Sequence, residues 1–192
     1  MDSLFARHKS LRGNTILHCI TNGKYTRAFP VADKTSQTAA DCLSNFIDDD
    51  GIPQVLWTDG AKEHQGRNTA FRKVCNKCRI DLRMTEPGQK NQNHAAEREI
   101  GELKKHWWCQ MACKDISKRL WDYGMVHETE LMSRYSRGPD GKTRFEEVTG
   151  TTPDISEYCD FEFNDLVWFR PHGKLNEGQL PGELGLWLGI SH

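Results

Sequence analysis

Long apolar runs and an excess of either charge are both missing from this 192-residue sequence. No stretch approaches the roughly 18 consecutive apolar residues that suggest a membrane-spanning helix. Residues 1–7 show no basic region followed by an apolar run, so we see no secretory signal peptide. We therefore expect a protein of the nucleus or cytoplasm. The net charge of -1 argues neither for nor against a nucleic-acid partner, because local patches decide such binding.

A secretory pattern of paired cysteines is also absent. The seven cysteines are odd in number, which favours reduced thiols. Cys75 and Cys78 together with Cys109 and Cys113 raise the alternative of a zinc site. The second pair has wider spacing on a predicted helix, so free thiols are the better interpretation.

Turn residues and apolar spacing predict the order of the elements. Asn22 and Gly23 favour a hairpin within three short strands over 4–31, because both tolerate positive φ. The remaining predicted elements are a helix beginning near Thr35 or Ser36, a strand at 55–58, a helix at 69–77, a strand at 80–84 and a helix at 116–133.

The longest predicted helix follows a polar loop at 86–92 and has Asn93 as its N-cap. Its apolar stripe consists of Ala96, Ile100, Leu103, Trp107 and Met111, at helical spacing. Trp107 and Trp108 could stack on bases, although packing explains Trp107 better because it belongs to the stripe.

Hairpins followed by alternating helices and strands imply a mixed α/β sheet with helices packed on it. We assign 1–135 to a core domain, 136–160 to a polar linker and 161–192 to a small, partial C-terminal β segment with strands at 161–163, 166–169 and 184–188.

Three carboxylates occupy positions suited to catalysis. Asp59 directly follows a short strand, and catalytic groups gather at that edge of α/β sheets. Glu97 lies in the first turn of the long helix, beside its apolar stripe. Asp2 begins the first strand and would neighbour Asp59 if the first and fourth strands are adjacent. The alternative is that each is solvated or capping, and Glu97 suits the helix dipole without any function.

Converging carboxylates repel one another unless a cation neutralises them. Mg²⁺ prefers hard oxygen ligands and shares itself readily with phosphate. Two such ions about 3.5–4 Å apart can activate an attacking oxygen and stabilise a leaving one at phosphorus. The three carboxylates therefore indicate cutting or transfer of phosphodiester bonds.

The stretches 58–63 and 93–98 resemble the integrase core of retroviruses and copia-type retrotransposons. Asp59 and Glu97 are separated by 97 − 59 − 1 = 37 residues, which fits the family's spacing. Glu63 stands where the family's second motif has glutamate, whereas Gly60 comes one place early. The third motif keeps Gln92, Asn93, Ala96, Glu97 and Arg98, with Lys90 and His94 replacing the usual proline and glycine. Residues 161–192 resemble the start of the segment that follows the core in copia-type elements.

This resemblance implies an RNase H-like fold: a mixed five-stranded sheet with helices on both faces. Asp2, Asp59 and Glu97 would hold two Mg²⁺ or Mn²⁺ ions for 3′-end processing and strand transfer of retrotransposon DNA. A homo-oligomer is expected, because the family works as multimers. The implied DNA contacts are Lys62, His64, Arg67, Arg98, Lys104 and Lys105, which would bind phosphates without reading sequence.

Only Met1 precedes Asp2, the family's zinc-binding module is missing, and the resemblance over 161–192 stops abruptly, so we expect a chain truncated at both ends. Two alternatives stay open. One is an RNase H-like nuclease that cuts without joining. The other is an inactive transposon fragment that acts at most as a nucleic-acid-binding domain.

Overall fold

The structure is a computed structural model and describes residues 1–23, 25–59, 66, 68–85, 94–170 and 182–190. Its strands are β1 (Asp2–Phe5), β2 (Ile16–Thr21), β3 (Thr26–Val31), β4 (Val55–Thr58), β5 (Asp81–Met84), β6 (Leu166–Phe169) and β7 (Glu183–Leu186). Its helices are α1 (Ser36–Asp50), α2 (Ala70–Lys77), α3 (His94–Lys114), α4 (Trp121–Tyr135) and α5 (Arg144–Thr149). No helix in these ranges is long and apolar enough to cross a membrane.

The first three strands form antiparallel hairpins in the order β1-β2-β3. The turn between β2 and β3 confirms the interpretation of Asn22 and Gly23. Gly23 has a φ of 89°, which a side chain would disfavour, and the Asn22 side-chain oxygen accepts from the Tyr25 N–H at 2.8 Å. The register places Asp2 opposite Cys19.

A single five-stranded sheet is not confirmed. Backbone pairing gives a three-stranded sheet, a parallel β4–β5 pair and an antiparallel β6–β7 pair. The Met1 amine nevertheless donates to the Trp57 carbonyl oxygen at 2.6 Å, so β1 begins beside β4. Apart from that contact, the described residues show no ladder between β1 and β4.

Helices cover both faces of the strands, as predicted. On β2, Leu17 and Cys19 join one buried cluster with α3 and α4, whereas Ile20 joins a second cluster with α1 and α2. This division follows from the alternation of side chains along a strand. The α3 stripe is confirmed: Ala96, Ile100, Leu103 and Trp107 are buried, and Met111 packs against the first cluster.

The region after α3 departs from the predicted elements. The expected helix at 116–133 is a 3-10 turn at Lys118–Leu120 followed by α4. The stretch 136–160 contains α5, which begins with a capping box between Thr143 and Glu146 and ends at Gly150 with a φ of 74°. Arg144 of α5 forms an ion pair with Glu99 of α3 at 2.5 Å. The division into core, linker and C-terminal segment stays a prediction.

Residues 161–163 form no strand, because a tight turn stands in their place. The Asp165 N–H donates to the Glu162 carbonyl oxygen at 3.0 Å, and Asn164 adopts a φ of 70°. Phe163 is instead buried against Trp107, with ring centroids 5.6 Å apart in an edge-on arrangement. This contact fastens the C-terminal segment to α3.

Candidate active site

Asp2 is half-buried at the start of β1. The Ser3 N–H donates to its side-chain oxygen at 2.7 Å and so fixes its orientation. Burial raises the pKa of Asp2, the Ser3 hydrogen bond opposes that rise, and the charges of Asp59 and Glu97 raise the pKa further. Because Coulombic interaction weakens with distance, Asp59 and Glu97 each lie near enough to Asp2 for their charges to act on it.

Asp59 directly follows β4, at the strand that β1 meets through the Met1 amine. Burial lowers the pKa of that amine to about 6, while the charges of Asp2, Cys19 and Asp59 act in the opposite direction. The charges of Asp2 and Asp59 therefore both raise the pKa of this amine. This agrees with the expectation that the two aspartates lie at neighbouring strand ends.

Glu97 is exposed in the first turn of α3, while Ala96 beside it is buried and anchors the helix. Over the described ranges, no three His, Cys, Asp or Glu side chains are close enough to hold a metal ion. The three carboxylates thus share one electrostatic region without a preassembled metal cage. Their oxygen donors and mutual repulsion fit a divalent cation, which would have to draw them closer.

A hydrogen bond beneath Asp2 was not singled out from the sequence. Ser3 Oγ lies 2.9 Å from His18 Nδ1, and His18 is fully buried in β2. No local pattern predicts this contact, because the antiparallel register brings the two residues together. The pair holds the residue whose backbone N–H binds Asp2.

The six predicted DNA contacts differ in their surroundings. Lys62, His64 and Arg67 lie outside the described residues. On α3, Arg98 donates to the Gly23 carbonyl oxygen at 3.2 Å, and Lys105 pairs with Glu102 at 2.7 Å.

Lys104 is exposed, and the described part of the chain places no carboxylate within 4.0 Å of its ammonium. Its charge acts to lower the pKa of Cys19, although burial dominates and raises that pKa to about 12. Of the three described cations, Lys104 is therefore the one best placed to meet a phosphate.

The two cysteine pairs lie on opposite sides of the strands. Cys75 belongs to the buried cluster with α1 and α2, and Cys78 packs against that cluster. Cys109 and Cys113 are exposed on α3, which packs on the other face. The two pairs therefore cannot combine into one four-thiolate site.

The strand order and the two helical layers define a mixed α/β fold whose candidate site lies where β1 meets β4. Solved structures refine this class. A chain of the simian T-cell lymphotropic virus intasome, in complex with PP2A regulatory subunit B56 gamma, is similar over 95% of this chain and 66% of its own, with a TM-score of 0.64 and 17% identity.

Two catalytic core domains are similar as well. The BIV integrase core matches with a TM-score of 0.61 and 16% identity, over 78% of this chain and 91% of its own. The HTLV-2 integrase core in complex with magnesium, in trimeric form, matches with a TM-score of 0.58 and 16% identity, over 77% and 93%. The chain therefore has the fold of a retroviral integrase catalytic core. No protein-family model and no curated protein matches its sequence.

Proposed function

We propose that this chain is the catalytic core of a retrotransposon-type DNA integrase, with Asp2, Asp59 and Glu97 as its catalytic carboxylates. The carrying observation is that the charges of Asp59 and Glu97 both raise the pKa of Asp2. On this proposal, three elements that are distant in sequence contribute one acid each to the site. The integrase-core fold supports the assignment, and the copia-like motifs around Asp59 and Glu97 support the retrotransposon type.

The three carboxylates would hold two Mg²⁺ or Mn²⁺ ions. The HTLV-2 core was solved in complex with magnesium, and oxygen donors suit either metal. When bound, the ions would activate the attacking oxygen and stabilise the leaving one. The Ser3 N–H orients Asp2, while α3 presents Glu97 from a buried base.

The proposed reaction has two displacements at phosphorus. In end processing, a water oxygen forms a P–O bond while the bond between phosphorus and the 3′ oxygen of the retained strand breaks, so the element end gains a 3′ hydroxyl and the released fragment keeps the phosphate. In strand transfer, the new 3′ hydroxyl forms a P–O bond with target DNA, and one target phosphodiester bond breaks. The number of phosphodiester bonds is unchanged in the second step, so no external energy source is required.

The DNA partner would be held by its phosphates through Lys62, His64, Arg67, Arg98, Lys104 and Lys105. We further propose that the chain forms a homo-oligomer. Within each chain, pairing of β1 with β4 would join the two sheets into one of five strands. Dimeric and trimeric forms of the HTLV-2 core support an oligomer. The working compartment would be the nucleus or the cytoplasm.

Nicking and strand transfer on a labelled duplex test the proposal directly. With Mg²⁺ or Mn²⁺, Glu97→Gln should lower both activities at least about 100-fold, because it removes a charged metal ligand. The matched control Glu157→Gln alters an exposed acid far along the chain and should leave both unchanged.

Three other results would contradict the proposal in different ways. Nicking without joining would identify a nuclease. A folded, DNA-binding but inactive protein would leave only a nucleic-acid-binding domain. Equal activity of the Glu97→Gln variant would remove the carboxylate assignment.

A further inference from the structure

A groove with a volume of about 310 Å³ opens between the end of β1 and helices α3 and α4. Trp107, Trp121 and Met125 are buried along it, and Trp108 is 56% exposed. Its size lies at the lower end of the range for ligand pockets, about 300–1,000 Å³. The groove can therefore accept a flat group the size of a nucleobase.

Hydrogen bonds hold the walls of this groove in place. The Trp121 Nε1–H donates to the His8 carbonyl oxygen at 2.9 Å, and the Leu11 N–H donates to the Arg119 carbonyl oxygen at 3.0 Å. Both bonds tie the β1–β2 connection to the start of α4. The groove is therefore already formed in the free protein.

Basic side chains surround the apolar surface. Arg7, His8, Lys104 and Lys118 line the groove, and none of its twelve lining residues is acidic. Arg7, Lys104 and Lys118 are exposed, and within the described ranges none of them forms an ion pair with a carboxylate. Unneutralised cations around an indole surface fit an anion that carries an aromatic ring.

The groove continues the line of the candidate active site along α3. At 100° per residue, Lys104 and Trp108 both lie within about 20° of Glu97 around the helix. At 1.5 Å per residue, they lie about 10 Å and about 16 Å from it along the axis. Glu97, Lys104 and Trp108 therefore follow one another on a single helix face.

We propose that the groove seats one unpaired nucleotide of the DNA strand held at the active site. The base of this nucleotide would lie against the indole of Trp108, and the flanking phosphates of the strand would contact Lys104 and Lys118. At the duplex rise of about 3.4 Å per nucleotide, the axial distance from Glu97 to Trp108 corresponds to about five stacked nucleotides. This assignment rests on the proposed function, because it takes DNA as the ligand.

DNA binding in EDTA tests this nucleotide site, which we call the seat, while metal-dependent cleavage and joining are blocked. The probes are a fluorescent duplex with a single-stranded overhang of about eight nucleotides and the matching blunt duplex. Trp108→Ala should weaken binding of the overhang duplex at least about fivefold, because one stacked base is lost. Binding of the blunt duplex should change less than about twofold, since phosphate contacts hold it.

Two further variants keep this test specific. Trp108→Phe retains an aromatic face and should restore most of the affinity for the overhang. Trp168→Ala removes a tryptophan that is 66% exposed on β6, away from the groove, and should affect neither probe. Circular dichroism establishes that every variant is folded.

The position of the seat is read from 2-aminopurine placed singly along the overhang. Its fluorescence should change most about five nucleotides from the reactive phosphate, and Trp108→Ala should abolish that maximum. Two results would overturn the proposed nucleotide site. In the first, Trp108→Ala binds each probe as tightly as the unaltered protein does. In the second, Trp108→Ala loses the same affinity for the overhang duplex as for the blunt duplex.

The seat and the proposed function fail separately. If the protein performs strand transfer but Trp108→Ala binds the overhang duplex normally, only the nucleotide-site proposal is contradicted. If Trp108→Ala weakens binding of the overhang duplex alone, but no nicking or strand transfer depends on Glu97, only the enzyme proposal is contradicted. A folded protein that binds neither probe removes both.

Discussion

The two faces of the central strands are packed by different means. Towards α1 and α2, the buried cluster consists of apolar side chains and a thiol, with Leu43, Phe71 and Cys75 among its members, and the alternation along β2 puts the buried His18 on this side as well. Towards α3 and α4, the buried set also includes the charged or titratable residues Glu99, Asp122, His127, Glu128 and Glu130. The buried surface towards α3 and α4 therefore contains more titratable side chains than the surface towards α1 and α2.

The polar residues on the α4 side make contacts with segments distant in sequence. Asp122 is fully buried and accepts from Arg12 Nε at 2.8 Å and from Asn14 Nδ2 at 2.9 Å. Tyr158 donates its hydroxyl to Glu130 at 2.6 Å. An apolar surface tolerates several arrangements, whereas a buried carboxylate requires its donors at fixed positions. The polar face therefore fixes how the β1–β2 connection and the segment after α5 meet α4.

The largest effect is expected on the apolar face, from Phe71→Ala. Phe71 is fully buried, so the substitution should lower the free energy of unfolding by about 3–5 kcal/mol. Urea unfolding followed by circular dichroism measures the loss, with the more exposed Val148→Ala as control. The loss should be similar at about pH 5 and about pH 8, and a strong pH dependence would contradict the apolar account of this face.

A smaller, pH-dependent effect is expected on the polar face, from Glu128→Gln. Burial raises the pKa of Glu128 from 4.5 to about 7, so the folded state binds a proton more tightly than the unfolded state. The contribution of Glu128 to stability is thus present below about pH 4.5 and is lost as the pH rises to about 7.

Relative to the unaltered protein, Glu128→Gln should therefore gain stability across that window, by up to about 3 kcal/mol. Urea unfolding at a series of pH values measures the difference. The free energy of unfolding of the unaltered protein must be subtracted at each pH, because His127 titrates in both proteins. Burial lowers the pKa of His127 to about 4, which gives stability the opposite pH dependence. A difference that stays constant with pH would show that Glu128 does not titrate in this way.

The smallest effect tests how closely the two helices of the polar face approach. A Cβ at Gly124 of α4 would overlap the ring of Trp107 on α3. Gly124→Ala should therefore destabilise the protein by about 2 kcal/mol through overpacking. Gly101→Ala is the matched control: its Cβ would meet nothing within 4 Å, so it should stabilise α3 by about 0.5–1 kcal/mol. Thermal unfolding compares them, and equal shifts would contradict the close approach.

Local patterns predicted most of the elements. The apolar stripe from Ala96 to Trp107 identified the buried side of α3, because helical spacing is a property of neighbouring residues. The capping box of Thr143 and Glu146 was equally local but lay in a polar stretch interpreted as a linker. Its helix is held by Arg144 and Glu99, 45 residues apart in sequence, which no local pattern reveals.

For the candidate site, the sequence by itself predicted the three candidate carboxylates and fixed their spacing, and helix periodicity alone puts Glu97, Lys104 and Trp108 on one face. Those features depend on residue type and on the geometry of one helix turn. Only the tertiary structure decided that the charges of Asp59 and Glu97 reach Asp2, and that Arg98 and Lys105 have partners while Lys104 faces a groove. These relations arise from strand register and helix packing, which join residues far apart in the chain.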